Sequence, residues 1–285
     1  MYPPGRLTVS KSHLSAIQGN DHQGIIKISD LAFVSKNILF SALKNQSYLM
    51  GSGINTILTF PVYAILYSYT AVGVVVVVML SWFKAKKPVR FLCGIWAKSV
   101  FLIMGKKLTI RGKENIDKNR KYILLANHAS LFDIVAITSF YPNVSWFGHE
   151  RLLKVPVFGR FLKLTDYVPF KEPTVSNTRH MLEQLMEKAK DQSVALFPEG
   201  TRTLNGKINP FFRGFIYLFK TRDIGILPLT LNGFYDLKPK NRFYIDFGSK
   251  LEVIIHKPIP REELIDKSDN EIIEKIKSVI ESAYR

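Results

Sequence analysis

Charged residues are absent between Asn45 and Phe83, and from Ile57 to Phe83 an almost unbroken apolar run of 27 residues includes five consecutive valines, Val74 to Val78. As a helix this run covers about 40 Å against about 30 Å of bilayer hydrocarbon, which predicts a membrane anchor long enough to span with tilt. A buried core helix is the soluble alternative, but apolar runs there seldom exceed about 18 residues. A cleaved signal peptide is shorter and lies nearer the N-terminus. Lys84, Lys86, Lys87 and Arg90 follow the run, with only Lys36 and Lys44 close on its other side. That asymmetry assigns the C-terminal flank to the cytoplasm. The next stretch, Phe91 to Gly105, is apolar with one lysine and predicts a helix lying on the membrane or against the main domain. Residues 1–49 show no sustained period and no motif, and are expected to be a poorly ordered leader. Met50, just ahead of the anchor, is an alternative start of translation.

From Lys107 onward short β-branched runs alternate with helical spacing. LTIRG, KYILLAN, SWFG, DYVPF, SVALFPEG, GILPLTLNG, FYIDFG and LEVIIHKPI are predicted strands. LFDIVAITSFY, SNTRHMLEQLMEKAKDQ, FFRGFIYLFKTR and SDNEIIEKIKSVIESAYR are predicted helices, the last opened by a capping box, Ser268 with Glu271. Pro228 within its strand predicts an edge or a strand end. The alternation gives an α/β domain whose mixed, largely parallel sheet is flanked by helices and preceded by the N-terminal hydrophobic helical membrane anchor. The boundaries are a leader at 1–49, anchor helices at 50–105 and the α/β domain at 106–285.

Lys and Arg number 40 against 23 Asp and Glu, a formal charge of +17, which points to a polyanionic partner. The excess is densest around the apolar stretch, with 10 basic and 2 acidic residues in 1–104, so anionic membrane lipids are favoured. Nucleic acid is not, because no aromatic-basic or helix-turn-helix fingerprint accompanies the charge. The single cysteine, Cys93, excludes an internal disulfide and a thiolate metal cage and suits a reducing compartment. No cofactor is announced.

Two constellations carry chemistry. The strand KYILLA runs into His128, and Asp133 follows at the start of an apolar helix. With the histidine at the strand end and the aspartate in the first helical turn, the carboxylate can hold one ring nitrogen while the other takes a proton from a hydroxyl. A solvated histidine with a helix-capping aspartate fits the same spacing. The place at a strand's C-terminal end, where open α/β sheets bind their ligands, favours the dyad. The second constellation is Phe197-Pro198-Glu199-Gly200-Thr201-Arg202, where glycine permits a turn closed to other residues and arginine offers a planar fork for phosphate. On local grounds it is equally an ordinary turn. Between the two lies HERLLKVPVFGRF, read as a loop with a helical turn.

Taken together these residues resemble the 1-acylglycerol-3-phosphate O-acyltransferase family, the lysophospholipid acyltransferases. NHASLFD resembles its H-x-x-x-x-D block, GHERLLKVPVFG its K-x-x-L-x-x-x-P-x-x-G block, FPEGTR matches the third block, and ILPLTLNG resembles the fourth. The resemblance covers roughly residues 85 to 260, with the blocks in the family's order. It implies transfer of a fatty acyl group from acyl-CoA or acyl-carrier protein to the sn-2 hydroxyl of lysophosphatidic acid, giving phosphatidic acid, with the thioester as co-substrate and no metal. His128 is implied as general base with Asp133 as its orienter. Glu199, Gly200, Thr201 and Arg202 are implied at the acceptor's phosphate. His149 stands where the second block has lysine, and Lys171, in DYVPFKEP, is the cation expected to replace the arginine that often ends that segment. Another lysophospholipid acceptor and a non-catalytic membrane scaffold are the alternatives.

Overall fold

The computed structural model describes residues 28–81, 86–154, 159, 162–163, 165–170 and 175–285. The chain divides into two units, residues 1–51 and 52–285. In the first, residues from Ile28 on are helical and begin helix α1 (Ile28–Ser81). The helix therefore starts within the stretch where no period is legible. Its residues there mix Leu, Ile and Phe with Ser, Asn and Lys at no fixed spacing, so it has no one-sided face for periodicity to detect.

In the second unit α1 continues beside α2 (Lys86–Ile103). Gly51–Leu80 is, among the described residues, the one helical stretch long and apolar enough to cross a membrane. Its polar positions bind the domain: Asn55 donates to Asp246 (3.3 Å), the Ile245 N–H to Thr59 Oγ1 (2.9 Å), the Tyr63 hydroxyl to the Phe243 carbonyl (3.1 Å) and Trp96 Nε1 to Thr70 Oγ1 (3.1 Å). FYIDFG, predicted as a strand, is irregular for this reason. Its backbone groups are satisfied by α1 side chains and by the Leu237 carbonyl, which accepts from the Asp246 N–H, rather than by a neighbouring strand.

The other strands predicted from the sequence form. They are β1 (Leu108–Arg111), β2 (Tyr122–Ala126), β3 (Val144–Ser145), β4 (Phe147–His149), β5 (Val168–Phe170), β6 (Ser193–Leu196), β7 (Gly225–Asn232) and β8 (Leu251–Ile255). Six make one sheet in the order β1-β8-β7-β2-β6-β3, and β4 pairs with β5 in a small parallel one. Only β7 against β8 is antiparallel within the large sheet. Pro228 is therefore in a central strand, not at an edge. Pro228 pairs with Leu125 of β2, and on its other side β8 has already ended at Ile255, so the missing N–H interrupts no ladder, while its carbonyl accepts from His256 (3.0 Å).

Every residue of β2 is buried, and its alternation feeds two cores. Tyr122, Leu124 and Ala126 pack with Leu66, with Val100 and Phe101 of α2, with Ala136 and Ile137 of α3 (Phe132–Phe140), and with Phe234 and Leu237 of α6 (Phe234–Leu237). Ile123 and Leu125 face α4 (Val175–Ala189), α5 (Gly214–Thr221), α7 (Arg261–Leu264) and α8 (Asp269–Glu281). The result is a three-layer sandwich, the architecture that a sheet apolar on both faces requires. The Ser268–Glu271 capping box opens α8 as expected, and Ile272, Ile276 and Ile280 form its buried stripe. A short 3-10 helix, Glu150–Lys154, is the helical turn expected in the second block.

One buried side chain extends the sheet to the site. Asn127 donates to the Leu231 carbonyl (2.9 Å) and accepts from the Leu231 N–H (2.8 Å), adding a side-chain rung between β2 and β7. Asn127→Ala should leave both buried groups unpaired and lower stability by about 2–4 kcal/mol, measurable by urea unfolding; an unchanged midpoint would show that water replaces the amide.

Candidate active site

Strands β2 and β6 lie parallel and adjacent, with Leu125 beside Leu196, so the loops that follow them leave the same edge of the sheet together. The contact anticipated from the H-x-x-x-x-D spacing forms: His128 Nδ1 lies 2.8 Å from Asp133 Oδ2. Asp133 is 0% exposed, and the same oxygen accepts from the Ala129 and Ser130 N–H groups at 2.7 and 2.8 Å. The three bonds fix the carboxylate before it meets the ring. The ring's face is covered by Phe197, stacked at 3.8 Å between centroids and 11° between planes, with Trp146 stacked beyond it. His128 retains 14% exposure. Among the described residues its Nε2 has no protein hydrogen-bond partner, so that nitrogen can serve a substrate.

The FPEGTR turn closes on this loop. The His128 N–H donates to Glu199 Oε1 (2.6 Å), the Asn209 N–H to Glu199 Oε2 (2.7 Å), and the Thr203 N–H to the His128 carbonyl (2.8 Å). Glu199 is 1% exposed. Its expected place at the acceptor's phosphate is thus corrected: both oxygens are committed to backbone N–H groups, and a buried carboxylate would repel a phosphate. Gly200 makes the turn with φ +68°, and a Cβ there would press on the Phe212 ring at 3.1 Å. Thr201 is exposed and Arg202 half-buried. Among the described residues Arg202 has no hydrogen-bond or ion-pair partner. Burial lowers its pKa, while the Asp133 charge acts to raise it.

His149 ends β4, its backbone paired with Phe170 of β5; Lys171 lies outside the described residues. The sequence reading missed several neighbours. Lys238 lies close enough to Arg202 and Arg242 for their charges to depress its pKa, after burial, the larger cause, and its carbonyl accepts from Ser130 Oγ (2.7 Å). Two tyrosines clasp the loop after Arg202: Tyr235 donates to the Leu204 carbonyl (2.9 Å) and Tyr284 to the Gly206 carbonyl (2.6 Å). Phe197 was legible, since it follows a strand parallel to the one carrying His128. Tyr284, far along the chain, gives no local signal.

Burial pushes the Glu199 pKa up to about 7 from its ordinary 4.5. A folded value above the unfolded one means that folding takes up a proton, so this group's contribution to stability is greatest below the unfolded value and falls as pH rises toward 7. The fall is at most about 3 kcal/mol. Glu199→Gln should flatten the dependence between about pH 5 and 7, and urea midpoints across that range test it; parallel slopes in both proteins would refute it.

Residues 107–232 match the Acyltransferase family model. The chain is 29% identical over 195 residues to a chloroplastic 1-acyl-sn-glycerol-3-phosphate acyltransferase of Brassica napus, covering 67% of this chain and 56% of that protein. It is 28% identical over 172 residues to the corresponding chloroplastic enzyme of Arabidopsis thaliana, covering 60% and 48%. The chain thus spans about half the length of these curated relatives. The crystal structure of the 1-acyl-sn-glycerophosphate (LPA) acyltransferase PlsC from Thermotoga maritima superposes with a TM-score of 0.70 at 25% identity, over 80% of this chain and 95% of that one. With the first and third blocks bonded together at one end of the sheet, the chain carries an Acyltransferase-type region over residues 107–232 and is similar in sequence and fold to 1-acyl-sn-glycerol-3-phosphate acyltransferases.

Proposed function

We propose that the protein transfers a fatty acyl group from acyl-CoA or acyl-carrier protein to the sn-2 hydroxyl of 1-acylglycerol-3-phosphate, making phosphatidic acid. The observation that carries this reading is the His128–Asp133 pair, with Nε2 open, on a loop bonded to the turn that presents an uncommitted Arg202. His128 takes the hydroxyl proton as the oxygen attacks the thioester carbonyl, and Asp133 stabilises the imidazolium. Collapse of the tetrahedral intermediate breaks the C–S bond, and the proton on His128 passes to the leaving thiolate. The activated carbonyl belongs to the co-substrate, so the scheme calls for no cofactor. Arg202 holds the acceptor's phosphate, with Lys238 as a neighbouring cation and Glu199 positioning the histidine loop from behind. His149 in the second block and Lys171 in the segment that follows it remain proposed cations for the acceptor.

His128→Ala should lower kcat by about 10² to 10⁴ with the fold intact, and Asp133→Asn should also be severe. Arg202→Ala should raise the acceptor KM and lower kcat less, and Arg202→Lys should recover part, because a point charge does not replace the fork. Labelled acyl-CoA with a panel of lysolipids reads all four. Diacyl product from none of the panel with the parent protein would favour the scaffold reading, and normal turnover by folded His128→Ala would sink the mechanism.

We also propose that the enzyme is held at the membrane with its domain on the cytoplasmic face, and that the anchor beds in one leaflet. Polar contacts join α1 to the α/β domain and to α2 from Asn55 to Thr70, and apolar packing continues to Val77 against Val89 and Cys93. That is a length of about 33 Å. A helix accompanied by its domain and then by α2 over that length is not free to cross alone, while its outer residues, such as Ile57, Phe60 and Tyr67, stay exposed for lipid. In a Cys93→Ala background, cysteines at Gly53 and Lys87 should both resist an impermeant reagent in intact cells. Labelling of one and not the other would mean that the helix spans.

A further inference from the structure

We infer that a groove between α2, β1 and the end of α3 is a binding site for one anionic phospholipid of the surrounding membrane, separate from the acceptor site. The groove has a volume of about 730 Å³. One wall is a stripe of α2 at helical spacing, Phe91, Ile95, Lys98 and Leu102, and the apolar members are exposed by 68%, 43% and 79%. Leu108 and Ile110 of β1 stand opposite. Apolar side chains so exposed are unfavourable in water and favourable against acyl chains.

The rim is cationic. Lys98, Lys106, Lys113 and Lys118 line the groove, together with Asn143, and no acidic residue does. Lys106 is committed, its ammonium donating to the carbonyls of Phe247 and Ser249. Among the described residues the other three pair with no carboxylate, and all three are exposed. An apolar trough edged by free lysines complements an anion attached to an acyl chain, the chemistry of an anionic phospholipid.

Sheet topology separates this site from the catalytic one. β1 is parallel to β8, β8 antiparallel to β7 and β7 parallel to β2, so β1 runs opposite to β2. Lys113 and Lys118, which follow β1, therefore stand at the edge where β2 begins, and His128 at the edge where it ends. The headgroup bound by these lysines is consequently not the acceptor whose hydroxyl meets His128. The inference rests on the membrane reading above, and not on the reaction.

The test uses the full chain with vesicles of phosphatidylcholine containing a minor share of phosphatidylglycerol, which is neither the proposed acceptor nor the product. Native mass spectrometry after transfer to mild detergent reads the lipid retained, and transfer to a soluble short-chain lysophosphatidate reads activity. The parent should retain phosphatidylglycerol in preference to phosphatidylcholine. Lys113→Gln with Lys118→Gln should weaken retention about 25-fold, about fivefold per lysine, with kcat/KM unchanged. The same change at two exposed lysines elsewhere, Lys257 and Lys267, should leave retention near parental. Equal weakening by that control pair, equal retention of phosphatidylcholine, or displacement of the lipid by free coenzyme A would overturn the site. Selective retention by a chain that transfers no acyl group would support the groove while overturning the proposed reaction.

Discussion

The bond from the His128 N–H to the Glu199 carboxylate, at 2.6 Å, joins the two loops on which the site depends. It acts within a reciprocal set, since the Thr203 N–H returns to the His128 carbonyl and the Asn209 N–H closes on the other Glu199 oxygen. Each loop supplies what the other lacks, and neither conformation has a local reason to persist alone. Their encounter is prepared by the parallel register of β2 and β6. Because strand side chains alternate with a period of two, a slip of one residue would turn Leu125 away from its core as well as part the loops, so core packing and site geometry enforce the same register. The imidazole is then held on three sides: its backbone by Glu199, one nitrogen by Asp133 and one face by Phe197.

Buried charge has a cost that this arrangement directs. Asp133 and Glu199 are both buried, and among the described residues one Asp133 oxygen, Oδ1, has no hydrogen-bond partner. Unpaired negative charge in a low-dielectric setting favours a cation nearby, and Arg202 lies within its influence. Arg202 and Lys238 in turn repel each other, so on the proposed reading a phosphate that enters between them relieves a tension already present. Burial, followed by the charges of Glu199 and Asp133, raises the Tyr284 pKa to about 12, keeping its hydroxyl a donor to the Gly206 carbonyl at neutral pH.

The sequence was most informative where one physical signal governed one element. Seven of the eight proposed strands and the alternation of the domain followed from β-branched runs and helical spacing. FYIDFG escaped because its alternation is real but its partner is a helix: Thr59 and Tyr63, almost two hundred residues away, take the place of a strand. Pro228 misled because a proline's cost depends on where the neighbouring strand stops, which is a property of β8. The dyad was legible from its spacing and strand-end position, whereas the work of Glu199 was not. A carboxylate in a glycine turn reads as exposed until the chain segments that bury it are known. Tyr235 and Lys238 come to the site from the segment after β7, and Tyr284 from the segment after α8, and no spacing announces them.

The apolar helix α2 also packs against the segments that carry the candidate site residues. Phe101 of α2 packs on Phe132, the residue before Asp133, with ring centroids 6.5 Å apart, and edge-on against Phe234, 6.4 Å away, at the start of α6. Through Phe132 the helix reaches the loop that carries His128, and through Phe234 it reaches the segment that carries Lys238. The α2 helix is thus part of the wall behind the site, which fixes the depth of His128 relative to any bilayer in which Phe91 and Leu102 are immersed. An acceptor with its chain in the leaflet and its phosphate in water has its hydroxyl at the boundary between them. On the proposed reading, a histidine registered to that boundary by packed aromatic rings meets the hydroxyl without extracting the lipid, which removes from the barrier the cost of exposing an acyl chain to water, about 0.8 kcal/mol for each methylene.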